Sequence, residues 1–325
     1  MLRLLVFFIL FFLISCTDVE EKFKYKADFI EFSTKVNITL YDVPTSGKND
    51  VENAISQVRE IFAYYDTLMN PGKEYSVLYK FNRKEPGKFY KIPEGMRNII
   101  DESMRINKIS DGAFDVAINQ LVELWKFDAD SVPEIPDADQ LAYLVERSGS
   151  DKIIVKNDSL KFLTEEADLG FGAIAKGMAV DSASQYLVSK GLNNFIIEAG
   201  GDLKISDGAI RTIGVQHPRE RNQLIDTLKV KNSSIATSGD YEKYFISDGV
   251  RYCHIINPKI GMSSSDLISV TILSDKAYLS DSYATAVFVL GLDKGREFIV
   301  KNNLKGILCF LDEESNVVKE YVNYD

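Results

Sequence analysis

The sequence predicts an α+β fold: a single large domain of mixed and antiparallel sheets with packed helices. Three observations lead there. With 45% hydrophobic and 26% charged residues over 325 positions, the chain can bury a sizeable core and is not a disordered polymer. Apolar periods of two and of 3.6 both occur, yet they do not alternate strictly as a doubly wound sheet requires. Short strand pairs separated by Asn157-Asp158-Ser159 and Ser247-Asp248-Gly249 read as hairpins, which need antiparallel pairing.

The elements follow in order. Ile30, Phe32, Val36, Ile38 and Leu40 suggest a strand or hairpin with one buried face. Asp50 then caps a helix whose apolar positions are Val51, Ile55, Val58, Phe62 and Tyr65. A second helix opens near Pro93, carries Met96, Ile99, Ile100, Met104 and Ile106, and stops before Gly112. Asp137 to Gly149 has the signature of a short capped helix. Lys152–Lys156 and Leu160–Leu163 form a hairpin, and a helix from Ala175 to Lys190 ends at Gly191. Asn194–Glu198 is a strand, Tyr241–Ile246 pairs with Val250–Ile256, and Leu267–Leu273 is a further strand. A helix over Lys276–Leu290, a second helix and two closing strands complete the chain.

The N-terminus has a separate logic. Arg3 precedes an apolar run of about 11 residues, Leu4 to Ile14, the span of a signal-peptide core and short of the roughly 20 needed to cross a bilayer. It ends in Leu13-Ile14-Ser15-Cys16, the pattern of a bacterial lipobox. The expected organisation is therefore a signal peptide over 1–15, a polar tether over 16–28 starting at lipidated Cys16, and the folded body over 29–325. That places the protein in the bacterial cell envelope, outside the cytoplasm and on the periplasmic side, held by a lipid anchor. Three cysteines are too few for a disulfide scaffold, and Cys253 and Cys309 are expected as free buried thiols. The net charge of −10 argues against a nucleic-acid partner, which would want a basic face.

Gly170-Phe171-Gly172-Ala173-Ile174-Ala175 fits the dinucleotide fingerprint G-x-G-x-x-A and precedes a helix. The fingerprint also needs a buried parallel strand leading into its first glycine. Here the lead-in is Thr164-Glu165-Glu166-Ala167-Asp168-Leu169, with three acids and a hairpin before it. A Rossmann reading fails on that point. A Gly-rich turn opening a helix remains, with backbone N–H groups suited to an anion.

Only two histidines exist, so a His-rich zinc site is excluded. His217, before Pro218, reads as a structural or exposed imidazole. His254 lies in the otherwise apolar Cys253-His254-Ile255-Ile256 and needs either a hydrogen-bond partner or a chemical task. Asp281 and Thr285 stand four apart on one helix face, flanked by Ala284, Ala286 and Val287. Their hard oxygens suit Mg²⁺ held by few protein groups plus substrate phosphates, while a capping or salt-bridged Asp281 fits equally. Ala199-Gly200-Gly201-Asp202 and Thr237-Ser238-Gly239-Asp240 are polar turns at strand ends, able to bind a ligand or simply to turn.

These stretches occur together in one family. The chain resembles the ApbE-like FAD:protein FMN transferases through Ser110-Asp111-Gly112-Ala113-Phe114-Asp115, Leu121-Val122-Glu123-Leu124-Trp125-Lys126-Phe127 and Asp168-Leu169-Gly170 through Ala179-Val180-Asp181. Glu198 to Asp202, Gly214 to Pro218, Ala236 to Tyr241, His254 to Pro258 and Ser280 to Ala286 follow in the family's order. The resemblance runs from about Phe32 to Leu290. It implies an enzyme that binds FAD with Mg²⁺, lets a Thr or Ser hydroxyl of an acceptor protein attack the FMN-side phosphorus, and releases AMP. It implies Mg²⁺ ligation by the Ala173 carbonyl, Asp281 and Thr285, and flavin-nucleotide contacts from Phe32, Ala113, Phe114, Asp115, Asp168, Lys176 and Ile256. It assigns His254 as the general base and a membrane redox subunit as the acceptor.

Three departures from the family pattern stand out. Phe32-Ser33-Thr34 replaces Met-Gly-Thr, Gly72 takes a position often held by Tyr (with Tyr75 nearby), and the loop at Gly170-Phe171-Gly172 is longer than in some members. The first two bear on packing of the flavin ring rather than on phosphate chemistry. Two alternatives share the resemblance: a Mg²⁺-dependent FAD pyrophosphatase giving FMN and AMP, and a non-catalytic lipid-anchored flavin-binding protein.

Overall fold

The computed structural model describes residues 22–127 and 133–324; the expected signal peptide and Cys16 lie outside them. The chain opens with strands β1 (Lys22–Glu31) and β2 (Thr34–Pro44) and helices α1 (Lys48–Met69) and α2 (Val77–Asn82). Strand β3 (Tyr90–Lys91) precedes α3 (Arg97–Ile109), α4 (Asn119–Leu124) and α5 (Ala138–Arg147). The hairpin β4 (Ile153–Lys156) and β5 (Ser159–Phe162) leads to α6 (Ala175–Ser189), β6 (Phe195–Ala199) and β7 (Asp202–Ile205). Then come β8 (Arg211–Gln216), β9 (Leu224–Val230), β10 (Ser233–Gly239), β11 (Tyr244–Ser247), β12 (Val250–Cys253) and β13 (Ser269–Ser274). Helix α7 (Ala277–Lys301) and strands β14 (Lys305–Leu311) and β15 (Val317–Val322) close the chain.

Eight strands form the main sheet in the order β1-β2-β6-β7-β10-β13-β14-β15, and each neighbouring pair is antiparallel. The α+β expectation therefore holds. Helix α1 packs on α6 and α6 on α7, so the three helices cover one face of the sheet. Val51, Val58 and Phe62 of α1 meet Ala179, Val180 and Leu187 of α6 and Val36, Ile38 and Leu40 of β2. The hairpin β8–β9 brings Val215, Leu228 and Val230 against Ile205, Ile235 and Ile307 in a separate cluster. No helix among the described residues is long and apolar enough to cross a membrane. Cys253 and Cys309 are free and buried, as expected.

Two boundaries differ from the sequence expectations. Residues 22–28, expected as tether, are part of β1, which pairs along its length with β2. The reason is a period of two: Phe23, Tyr25, Ala27 and Phe29 turn inward while Lys22, Lys24, Lys26 and Asp28 face water, so the charges hide an amphipathic edge strand. Asp50 is not the cap of α1; Gly47 is, and Asp50 sits in the first turn, where a carboxylate still suits the helix dipole. Asp137 does cap α5, accepting from Asp139 N and Gln140 N.

The Gly-rich turn is not a Rossmann crossover. β5 pairs antiparallel with β3 and β4 in a small separate sheet, and residues 163–174 between it and α6 are not strand. Gly177 instead lets α6 cross the start of α7: a Cβ there would lie 2.4 Å from Tyr278 Cα and 2.5 Å from its N. Gly177→Ala should therefore lower stability by about 1–3 kcal/mol through overpacking against backbone, read as a reduced urea midpoint with unchanged slope. Gly291 has φ 78° and breaks α7 into two helices. Asp266 Oδ2 accepts from Leu292 N at 2.6 Å, so the second helix is capped from a distant loop.

Candidate active site

The N-terminus of α6 and the first turns of α7 meet over a charged cluster. Lys176 Nζ lies 3.4 Å from Asp202 Oδ2 and 3.6 Å from Asp281 Oδ2, and it donates to the Gly172 carbonyl at 3.4 Å. Asp202 and Asp281 are only 4% and 7% exposed. Burial and the neighbouring Asp281 carboxylate push Asp202 well above the usual carboxylate range, against the pull of Lys176. Burial disfavours the Lys176 ammonium, but Asp202 and then Asp281 more than offset it and hold its pKa above that of a free lysine. Two buried carboxyl groups thus face one ammonium.

Helix α7 is pinned where it enters this cluster. Asp181 of α6 accepts from Ala277 N at 3.0 Å and Tyr278 N at 3.2 Å, satisfying the first N–H groups of the helix. Burial raises the pKa of Asp181 while those two bonds oppose it. One turn on, Ser282 Oγ donates to the Ala173 carbonyl at 3.1 Å and to Tyr278 O at 2.7 Å. Thr285 Oγ1 lies 3.2 Å from Ser238 Oγ of β10, and Thr237 Oγ1 lies 2.8 Å from Thr271 Oγ1 on β13. The Ala173–Ser282 bond ties the Gly-rich turn to α7 on the helix that carries Asp281 and Thr285.

The turn itself donates less than its sequence suggests. Gly170 N is bonded to Val116 O at 2.7 Å, and Ile174 N and Ala175 N both go to Phe171 O. Gly170 is needed for close approach, since a Cβ would meet Asn119 Oδ1 at 2.6 Å. Gly172 faces open space, with nothing within 4 Å of a built Cβ.

Ala113, Phe114 and Asp115 lie across the Gly170–Val116 bond. Ala113 and Phe114 are buried. Asp115 accepts four bonds, from Ala117 N and Ser150 Oγ on one oxygen and from Ser150 N and Asn107 Nδ2 on the other. Its carboxylate organises this loop, and burial still raises its pKa against those bonds.

Asp168 accepts from Gln120 N at 3.0 Å and Asn119 Nδ2 at 3.4 Å. Burial first, and Glu123 second, push its pKa up to about 7. Folded Asp168 holds its proton more tightly than an unfolded carboxyl. Its contribution to stability is thus present below about pH 4 and lost as pH rises through about 7. Asp168→Asn should melt at a higher temperature than the parent chain at pH 8 and converge with it near pH 4.

The remaining residues are held by other parts of the fold. His254 follows β12, half-buried; its backbone N donates to Lys243 O at 3.0 Å and its ring edge meets Phe127 at 6.5 Å between centroids. Ile256 is buried with Trp125, Leu121 and Ile118. Trp125 anchors this wall: its Nε1 donates to Gly261 O at 2.9 Å and its ring stacks with Phe127 and Tyr252. Phe32 sits at the β1–β2 turn with φ 53° and packs against two of the core clusters. His217 Nδ1 accepts from Arg219 N and Glu220 N, the structural task its sequence suggests.

Lys176 and Asp281 are thus in direct contact, Thr285 stands one turn along α7 from Asp281, Ala173 is tied to α7 through Ser282, and Ala113–Asp115 leads into the Val116–Gly170 bond. Among the described residues no group of three or more His, Cys, Asp and Glu could hold a metal ion. A cation at Asp281 would lean on hydroxyl, carbonyl and ligand oxygens, which suits a hard ion. Two residues outside the expected set belong to the cluster or its support. Asp202 completes it, and its only sequence signal is an acid placed directly after Gly200-Gly201. Asn119, two residues before the Leu121 stretch, holds both Asp168 and the Gly170 approach.

An antiparallel α+β frame thus gathers a lysine and two buried carboxyl groups where α6 starts, with the Thr285 hydroxyl one turn along α7 from Asp281. The chain belongs to the ApbE family, whose profile matches residues 32–310. It is 27% identical over 297 residues to the FAD:protein FMN transferase of Vibrio cholerae, covering 89% of this chain and 88% of that protein. It is 29% identical over 307 residues to the FAD:protein FMN transferase of Haemophilus influenzae, covering 89% of each. In structure it resembles the flavin transferase ApbE of Vibrio cholerae with a TM-score of 0.82 at 24% identity, over 93% of this chain and 98% of that one. The ApbE protein of Thermotoga maritima aligns with a TM-score of 0.81 at 27% identity, over 91% of this chain and 97% of its own.

Proposed function

We propose that this protein is a Mg²⁺-dependent FAD:protein FMN transferase that attaches FMN through a phosphoester to a Thr or Ser of an acceptor protein and releases AMP. The observation that carries the reading is the Lys176–Asp202–Asp281 cluster, with Thr285 and the Ala173 carbonyl beside it. The named relatives support the reaction. The residues also fit the ion. Asp281 Oδ2 is buried without a hydrogen bond, the Ala173 carbonyl has a second lone pair beyond the one Ser282 uses, and Thr285 adds a hydroxyl. Mg²⁺ bound there would neutralise charge on the pyrophosphate and polarise the phosphorus under attack.

The chain's own residues account for the rest. Lys176 offsets pyrophosphate charge from the start of α6, and the α6 dipole adds to it. Residues 113–115 and Asp168 hold the nucleotide beside the Gly-rich turn, while Phe32 and Ile256 pack its apolar parts. His254 accepts the proton of the incoming hydroxyl as oxygen bonds to the FMN phosphorus; the bond to the AMP phosphate oxygen breaks, and AMP leaves with those electrons. Phosphoryl transfer needs positioning and charge neutralisation more than covalent help, and these residue types supply that.

The same reading places the protein on the outside of the cytoplasmic compartment of a bacterial cell, anchored through Cys16 to a membrane and acting on a membrane-bound redox subunit. Its support is the Leu13-Ile14-Ser15-Cys16 pattern and the envelope location it implies. Incubation with FAD, Mg²⁺ and a candidate acceptor tests the function. Flavin fluorescence on the denatured acceptor band, with stoichiometric AMP, supports transfer. AMP and free FMN in the absence of acceptor would make the protein a pyrophosphatase, and no product at all would make it a binder.

A further inference from the structure

Asp202 has no task in the chemistry described so far, yet the fold goes to some length to place it. Ala199 and Asp202 face each other across the β6–β7 hairpin, joined by Gly200 and Gly201 with φ 55° and 94°. Positive φ at both central residues is the type I′ hairpin geometry, which Gly-Gly, Asn-Gly and Asp-Gly pairs adopt readily. Glu198 braces the turn, accepting from Gly201 N at 3.0 Å and from the Asn37 side chain. Thr34 fills the space beside Gly200, where a Cβ would meet its Oγ1 at 2.6 Å. Asp202 is thus delivered from a rigid corner into the same ammonium that faces Asp281.

The geometry of that ammonium is informative. It stands at similar distances from the two carboxylates, 3.4 and 3.6 Å, and neither facing oxygen has a hydrogen bond. Lys176 Nζ therefore occupies a position between two oxygens, much as a cation shared by both would. Its remaining contact, the Gly172 carbonyl, belongs to its own turn. A divalent ion at Asp281 competes with the ammonium for one oxygen. Without a second carboxylate, the ammonium would keep Asp281 as its sole counter-charge, or be left buried without one when displaced, which is costly.

We propose that Asp202 is a positioning residue that carries the Lys176 ammonium when a divalent cation takes Asp281, so that the lysine yields the cation position without losing its counter-charge. This rests on the reading of Asp281 as a metal ligand. Asp202 acts through Lys176; it touches neither metal nor flavin. The consequence is a pair of effects of opposite sign. Removing the ammonium frees Asp281 and tightens metal binding. Neutralising Asp202 commits the ammonium to Asp281 and weakens it.

The test is Mn²⁺ binding to the full chain in detergent, without flavin, read as the loss of the free-ion electron paramagnetic resonance signal. Lys176→Gln should bind Mn²⁺ about tenfold more tightly than the parent chain, and Asp202→Asn about tenfold more weakly. In the Lys176→Gln background the Asp202→Asn change should have little further effect, because the residue through which Asp202 acts is gone. An equal loss in both backgrounds would make Asp202 a direct ligand and overturn the proposal. So would Asp202→Asn binding like the parent chain while Asp281→Ala abolishes binding, a result that leaves the metal reading intact. Parent-chain binding that is absent, or indifferent to Asp281→Ala, overturns both. Should Asp202→Asn fail to fold by circular dichroism, the Lys176→Gln arm decides: tighter binding supports the proposal and unchanged or weaker binding defeats it.

Discussion

Asp281→Ala is expected to abolish Mg²⁺-dependent AMP release from FAD while the protein stays folded. Asp281 supplies the only carboxylate among the three expected ligands, and the hydroxyl of Thr285 and a carbonyl already bonded to Ser282 hold a divalent ion poorly without it. Loss of one electrostatic contact to a developing oxyanion costs about 10²–10³-fold in rate, and loss of the ion itself should cost at least that. The fold should tolerate the change for a reason visible in the cluster. Truncating one partner of an isolated buried ion pair leaves an uncompensated charge. Here Lys176 keeps Asp202 at 3.4 Å, so the ammonium is still paired. A buried cavity of carboxyl size remains, and a small fall in melting temperature is expected. Turnover that persists at saturating Mg²⁺ would remove Asp281 from the metal site. Failure to fold would show instead that the cluster holds α6 and α7 together.

Much of this site was legible in the sequence because its parts are local. Asp281 and Thr285 stand one helical turn apart and so share a face, and the Lys176 helix start follows directly from the Gly-rich turn. The absence of a Rossmann crossover followed from the acidic lead-in at Glu165, Glu166 and Asp168, and the β4–β5 hairpin bears that out. What stayed hidden depends on pairing between distant segments. Asp202 joins Lys176 only because the β6–β7 hairpin lies beside α6; the Gly200-Gly201 pair signals the turn but not the helix that the turn meets. Asp115 lies in a motif that resembles a ligand contact, yet its hydrogen bonds reach to Ser150, 35 residues away. The opening strand was obscured by its own lysines. Charges at alternate positions look like a solvated tether until the intervening Phe23, Tyr25 and Phe29 are seen to face α1 and the sheet.

His254→Ala should leave FAD binding in place and slow FMN transfer by about 10²–10⁴-fold, the range that a positioned general base contributes. The imidazole stands at the end of β12, where Ser263 fixes the strand by donating to the Cys253 carbonyl and accepting from Cys253 N. Its ring is set edge-on to Phe127, which in turn stacks on Trp125. That wall is aromatic on one side, where Phe127, Trp125 and Tyr252 stack. The contacts of Lys176 come from Asp202, Asp281 and the Gly172 carbonyl, so affinity for FAD and for the metal should be preserved. The separation of kcat from KM is therefore the decisive readout: a fall in kcat with FAD affinity unchanged by fluorescence titration assigns the base. An equal loss in FAD affinity would make His254 a wall residue. A third result, AMP release that persists without acceptor while transfer is lost, would mean that water does not need the base that the acceptor hydroxyl does.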